Sequence, residues 1–146
     1  MSTASTAATS AAAEHYFSCN DIHAYYGESY IVQGVSFDIK EGEILALLGR
    51  NGAGKTSTLR TIARMDEPEL QKGEIWLDGD ALHKMESHEA SVSGVGMVLE
   101  DRRIIPGLTV EENIKLAQIE EPKGWSLDQI YELFPRLGER LSLIHI

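Results

Sequence analysis

Residues 49–56 read Gly-Arg-Asn-Gly-Ala-Gly-Lys-Thr and match the spacing G-x-x-x-x-G-K-[ST]. The pattern lies between the apolar run Ile44-Leu45-Ala46-Leu47-Leu48 and a segment in which Leu59, Ile62 and Ala63 recur at helical spacing until Glu67-Pro68. A continuous apolar run of strand length reads as a central parallel strand covered on both faces. Strand, glycine loop and helix, in that order, are what a phosphate-binding loop requires. Glycines let consecutive backbone N–H groups converge on phosphate oxygens, and the helix N-terminus adds partial positive charge. The expected class is therefore α/β, organised around this loop.

Each position has a chemical assignment. Gly49, Arg50, Asn51, Gly52, Ala53 and Gly54, with Ser57 beyond them, are candidates for holding the phosphates of a nucleotide. Lys55 is the residue that neutralises the β- and γ-phosphates, and the Thr56 hydroxyl is the expected Mg²⁺ ligand, because a hard cation bridging those phosphates needs an oxygen there. The plain alternative is a glycine loop that only turns the chain, and the strand and helix patterns on either side argue against it.

Composition excludes several other classes. With 146 residues the chain has the length of one domain, and 13 Lys and Arg against 23 Asp and Glu leave a net charge of −10. That balance offers no footprint for a nucleic-acid backbone or an anionic membrane surface, so no nucleic-acid partner is expected. A single cysteine, Cys19, cannot form an internal disulfide or a redox pair. No apolar stretch approaches the roughly 18 residues of a membrane span. Residues 1–13 are almost wholly Ala, Ser and Thr, and the first Lys or Arg is Lys40, so a signal peptide's basic start is missing. Residues 1–14 are expected to be a disordered tail, and the chain to be cytoplasmic.

Elsewhere the pattern alternates strands with helices. Val35, Phe37 and Ile39 mark one face of a half-buried strand that Glu41-Gly42 turns. Residues 74–78 form a second strand ending at the turn Asp78-Gly79, and residues 95–99 a further apolar run, with a polar, helical stretch between them. Thr109-Val110-Glu111-Glu112 and Ser126-Leu127-Asp128-Gln129 have the form of capping boxes and open two closing helices, the second carrying Ile130, Leu133, Phe134 and Leu137. Glu120-Glu121-Pro122-Lys123-Gly124 connects them. His83 and His88 stand in a polar segment without a metal-ligand constellation and read as solvated surface, and Met97 reads as core.

A phosphate loop alone leaves kinases, GTPases and ATP-driven machines open. Ala24-Tyr25-Tyr26-Gly27 and residues 33–43, Gln-Gly-Val-Ser-Phe-Asp-Ile-Lys-Glu-Gly-Glu, resemble the start of an ABC transporter ATP-binding subunit. The resemblance implies a P-loop NTPase fold of the ABC nucleotide-binding type. In that family an aromatic immediately before this glycine stacks on adenine, which by position is Tyr26. Tyr25 is the weaker candidate, and a strand-end aromatic packed on the core is the plain alternative.

Residues 98–113 resemble the region that begins at the family's Q-loop, most closely in branched-chain amino acid importers, where Glu-x-Arg-Arg stands as Glu100-Asp101-Arg102-Arg103 does here. Residues 131–137 fit the same branch. By this resemblance Glu100 takes the Q-loop position, reaching Mg²⁺ or the attacking water, and residues 100–109 lie near the surface that docks the membrane permease subunits. A rival assignment makes Glu100 and Asp101 the Walker B acids of a stand-alone kinase or GTPase, leaving Tyr26-Gly27 and residues 102–113 unexplained.

The resemblance spans about residues 16–140, so 15–140 is expected to be the N-terminal part of an ABC ATPase domain, ending before the signature motif and Walker B strand. Residues 141–146, Leu-Ser-Leu-Ile-His-Ile, depart from the family and equal the translation of a transposase mosaic-end adapter. They are expected to be a non-native tail. The implied parent is an ATPase, cytoplasmic and peripheral on the inner face of the membrane. It would dimerise head to tail with a second ATP-binding subunit and power amino acid import. The chain by itself is expected to bind nucleotide at most and to be poorly soluble.

Overall fold

The computed structural model describes residues 15–100, 104–116, 118 and 124–140. They fall into two compact units, Met1–Met97 and Val98–Ile146. The expected tails at 1–14 and 141–146, the Asp101-Arg102-Arg103 segment and most of the linker at 120–124 lie outside the described residues.

The first unit is built on strands β1 (Phe17–Tyr26), β2 (Ser29–Ile39) and β3 (Glu69–Leu77). They form an antiparallel sheet in the order β2-β1-β3. Phe17 and Cys19 face the core from odd positions, whereas Ile22 and Ala24 face it from even ones. The change of parity is made by a bulge, recorded as register shifts between Cys19 and Ile22 against β2 and between Asn20 and His23 against β3. Asp21 adopts φ 47° within it. Without that extra residue, period-2 alternation would turn Ile22 and Ala24 to solvent.

Helix α1 (Lys55–Ile62) packs on the sheet. Its buried threonines are satisfied locally, Thr58 Oγ1 donating to the Gly54 carbonyl at 2.9 Å and Thr61 Oγ1 to that of Ser57 at 2.8 Å. After β3, Asp78 (φ 45°) and Gly79 (φ 88°) reverse the chain as their sequence predicts. A 3-10 turn (Leu82–Lys84) and α2 (Ser87–Val92) then supply Leu82 and Ala90 to the core beside Val32, Ile75 and Leu77. Reciprocal bonds between Glu86 and Glu89 cap α2.

The central parallel strand expected at residues 44–48 is not formed. Among the described residues the sheet is wholly antiparallel, and Ile44 and Leu48 are 95% and 88% exposed. The run at 95–99 forms no strand either, with Val98 99% exposed. Apolar composition suits a strand to burial, but a ladder exists only where a second backbone takes its hydrogen bonds. Only Leu47 of the run is half-buried; it and the more exposed Leu45 border an apolar cleft of about 280 Å³ with Phe17, Phe37, Ile39 and Ile62. His83 also departs from expectation. It is half-buried, its Nδ1 lying 3.0 Å from the Ile75 carbonyl, with Trp76 edge-on at 5.3 Å.

In the second unit, α3 (Val110–Leu116) is opened by Thr109, whose Oγ1 accepts from Glu112 N at 3.2 Å while Glu112 Oε2 accepts from Thr109 N at 2.8 Å. Asn113 Oδ1 accepts from Ile105 N at 2.8 Å and its Nδ2 donates to the Thr109 carbonyl at 2.9 Å, tying the preceding loop to the helix. Ser126 and Gln129 cap α4 (Leu127–Leu133) as predicted. The helix expected to continue through Leu137 breaks at Phe134 and restarts as α5 (Pro135–Gly138). Proline disfavours helical backbone in the residue before it and offers no N–H.

Candidate functional site

The glycine loop leads directly into α1. Gly52 (φ 83°) and Gly54 (φ 82°) both take the left-handed backbone conformation that side chains disfavour. Gly54 is the N-cap, and no acidic residue in the first turn of α1 offsets the positive end of the helix. The loop is also seated closely: a β-carbon at Gly54 would lie 3.3 Å from the Ile31 carbonyl of β2, and one at Gly49 would lie 3.2 Å from Ala53 Cβ.

Lys55 turns its ammonium back over the loop, donating to the carbonyls of Gly49 and Arg50, each at 2.9 Å. Ala53 N donates to the Arg50 carbonyl at 3.1 Å, closing a turn across Asn51 and Gly52. Gly49, Arg50, Asn51, Gly52, Ala53, Gly54 and Lys55 thus form one continuous cradle, with half-buried Thr56 and Ser57 in the first turn of α1. A cation fixed over a loop of positive-φ glycines, at the positive end of a helix, suits a polyphosphate with its Mg²⁺.

Tyr26 ends β1, half-buried and paired with Ser29. Tyr25 is stacked on Tyr30 at 4.6 Å and 11°. Glu100 is exposed at the start of the second unit. Asp101, the other acid of the rival assignment, lies outside the described residues, and residues 97–99 make no strand leading to it.

One cluster was not foreseen from sequence. On the outer face of the sheet His23 Nε2 meets Asp21 Oδ1 at 2.9 Å, and Lys72 Nζ donates to Asp21 Oδ2 at 2.6 Å. The Tyr30 hydroxyl meets His23 Nδ1. Because the carboxylate only accepts, Nε2 donates to Asp21. Lys72, then His23, hold the Asp21 carboxyl below the usual carboxylate range. Burial first, then the neighbouring Tyr25 and Asp21, push the Tyr30 phenol up. The only sequence signal was the placing of His23 and Tyr25 at alternate positions. Among the described residues no group of His, Cys, Asp and Glu is arranged to hold a metal by itself.

A phosphate-binding loop at a helix N-terminus, flanked by a three-stranded antiparallel sheet, defines the class: a nucleotide-binding domain of the P-loop kind. The chain belongs to the ABC transporter family, whose sequence profile matches residues 32–143. It is 36% identical over 126 residues to the high-affinity branched-chain amino acid transport ATP-binding protein BraG of Pseudomonas aeruginosa, covering 84% of this chain and 53% of that protein. It is 34% identical over 128 residues to the Fe(3+) ions import ATP-binding protein FbpC of Fusobacterium nucleatum, covering 80% and 33%. The ribose import ATP-binding protein RbsA of Bacillus licheniformis is 32% identical over 131 residues, covering 84% and 26%. The chain therefore spans about half the length of BraG, and less of the other two. Its fold matches a nucleotide-free ATP-binding cassette from an ABC transporter with a TM-score of 0.65 at 20% identity, covering 87% of this chain and 56% of that one. Relatives thus include ATP-binding proteins of amino acid transport and of sugar and iron import, and no helix among the described residues is long and apolar enough to cross a membrane.

Proposed function

We propose that this chain is the nucleotide-holding part of an ABC importer's ATP-binding subunit. The observation that supports this most is the Lys55 ammonium held over a positive-φ glycine loop at an uncompensated helix N-terminus. In this reading the backbone of residues 51–55, with Gly49, Arg50 and Ser57, binds the phosphates of ATP, and Lys55 neutralises the β/γ charge. Thr56 supplies an oxygen to Mg²⁺ and Tyr26 stacks on adenine, while Glu100 holds the Q-loop position of the second unit. Bound Mg²⁺ spreads the charge of the β- and γ-phosphates. Hydrolysis belongs to the complete subunit, working as a head-to-tail pair with a second ATP-binding subunit beneath membrane permease subunits on the cytoplasmic face.

Branched-chain amino acids are the cargo we favour. The similarity to BraG and the Glu100-Asp101-Arg102-Arg103 sequence support this choice. Equilibrium titration of the 146-residue chain with Mg²⁺ and a fluorescent ATP analogue tests the core of the reading. Lys55→Ala removes a charge-assisted donor and is expected to weaken binding roughly ten- to a hundredfold. Equal affinity in the variant would remove the phosphate role from this loop.

A further inference from the structure

The β1–β2 ladder is irregular near the end that the two-residue turn Gly27-Glu28 closes. A register shift between Ala24 and Tyr25 sets the last two pairs, Tyr25 with Tyr30 and Tyr26 with Ser29, apart from the rest. Further shifts lie between Cys19 and Ile22 and between Ile22 and His23. A strand end beyond such interruptions is not aimed by backbone hydrogen bonds alone. Tyr25 also pairs with Glu69 of β3, and side chains from all three strands add contacts to this backbone pairing. The Tyr30 ring of β2 stacks on Tyr25 at 4.6 Å and on His23 at 5.6 Å, with interplanar angles of 11° and 13°.

Its hydroxyl meets His23, His23 meets Asp21, and Asp21 meets Lys72 of β3. Gln33 Nε2 donates to the Tyr30 carbonyl at 3.1 Å. The next residue, Ile31, presents the carbonyl against which Gly54 is seated. Tyr30 thus stands between the residue preceding Tyr26 and the strand position that touches the phosphate loop. Adjacent side chains on a strand point to opposite faces, so a hold on Tyr25 from outside fixes the backbone that presents Tyr26.

We propose that Asp21, His23, Tyr30 and Lys72 form a positioning network that sets Tyr26 relative to the Gly54 loop and so determines how well the chain distinguishes ATP from bare polyphosphate. The inference rests on the reading of Tyr26 as the adenine platform. It is tested by titrating the 146-residue chain, with Mg²⁺, against ATP and against inorganic tripolyphosphate. His23→Ala is expected to weaken ATP binding roughly three- to tenfold, the scale of one aromatic contact, while tripolyphosphate affinity stays within about twofold. Tyr30→Phe keeps the stack and loses only the hydroxyl, so its effect on ATP is expected to be smaller but equally selective.

A purely structural role would move both ligands together. If Tyr26→Ala lowers ATP affinity selectively and neither network variant does, the network is rejected and the platform stands. If Tyr26→Ala has no selective effect, the platform reading fails and the network falls with it. Should His23→Ala lose both ligands, Tyr30→Phe decides: a selective loss supports the network, and no loss or an equal loss overturns it.

Discussion

Gly73 of β3 passes beneath the bulge of β1 so closely that a β-carbon on it would lie 2.5 Å from the carbonyl oxygen of Asp21. The same β-carbon would lie 2.6 Å from Ile22 Cα and 2.7 Å from the Asn20 carbonyl, and Gly73 itself has φ 102°. The obstacles are backbone atoms, which cannot rotate away. Gly73→Ala therefore combines left-handed strain with overpacking and is expected to cost about 3 kcal/mol or more. Denaturant midpoints of the two proteins measure it, and a loss below about 1 kcal/mol would mean that the bulge relaxes freely.

Acid should weaken the outer-face network. The folded-state pKa of Asp21 lies below its unfolded value, through Lys72 first and His23 second, so the unfolded chain binds more protons between the two. The contribution is complete above the ordinary carboxylate pKa of about 4 and is lost as pH falls through the lowered value. Lys72 is raised by Asp21, so its share is complete below the ordinary lysine value of about 10.4 and is lost as pH rises past it. Melting temperature against pH is expected to flatten at both ends in Asp21→Asn, and less visibly in high salt because the pair is exposed. Superimposable acid limbs would contradict this.

Cys19 should be inert while the chain is folded. It is fully buried, and that burial pushes its thiol up to about 11, although the Phe37 backbone bond opposes the shift. Between the ordinary thiol value of about 8.5 and this one, only the unfolded chain releases the proton, so stability declines as pH rises through that window. At pH 8 a thiol reagent is expected to label Cys19 at the rate of opening, accelerating sharply in denaturant. Fast labelling of the folded chain would show that β1 is open at this point.

Ile44 and Val98 are almost wholly exposed apolar side chains. Such surface attracts hydrophobic dyes and other chains. Ile44→Lys and Val98→Lys are each expected to lower dye fluorescence and light scattering while leaving the melting temperature nearly unchanged. A drop of several degrees in melting temperature would place either residue in a packed interior instead.

What could be read from sequence was local. The glycine loop, the turns at Glu41-Gly42 and Asp78-Gly79, and the capping boxes at Thr109 and Ser126 all close within a few residues, so residue type and spacing suffice to specify them. The half-buried face of Val35, Phe37 and Ile39 followed in the same way from alternation along one strand. Tertiary structure decided whatever depends on a distant partner. Residues 44–48 have the composition of a central strand yet make no ladder, because a ladder needs a second backbone beside it. The bulge at Asp21 swaps the faces of β1, and its accommodation by Gly73 becomes visible only once β3 crosses it. Tyr30, His23, Asp21 and Lys72 come from three strands, and only the sheet's register brings them into one chain of hydrogen bonds.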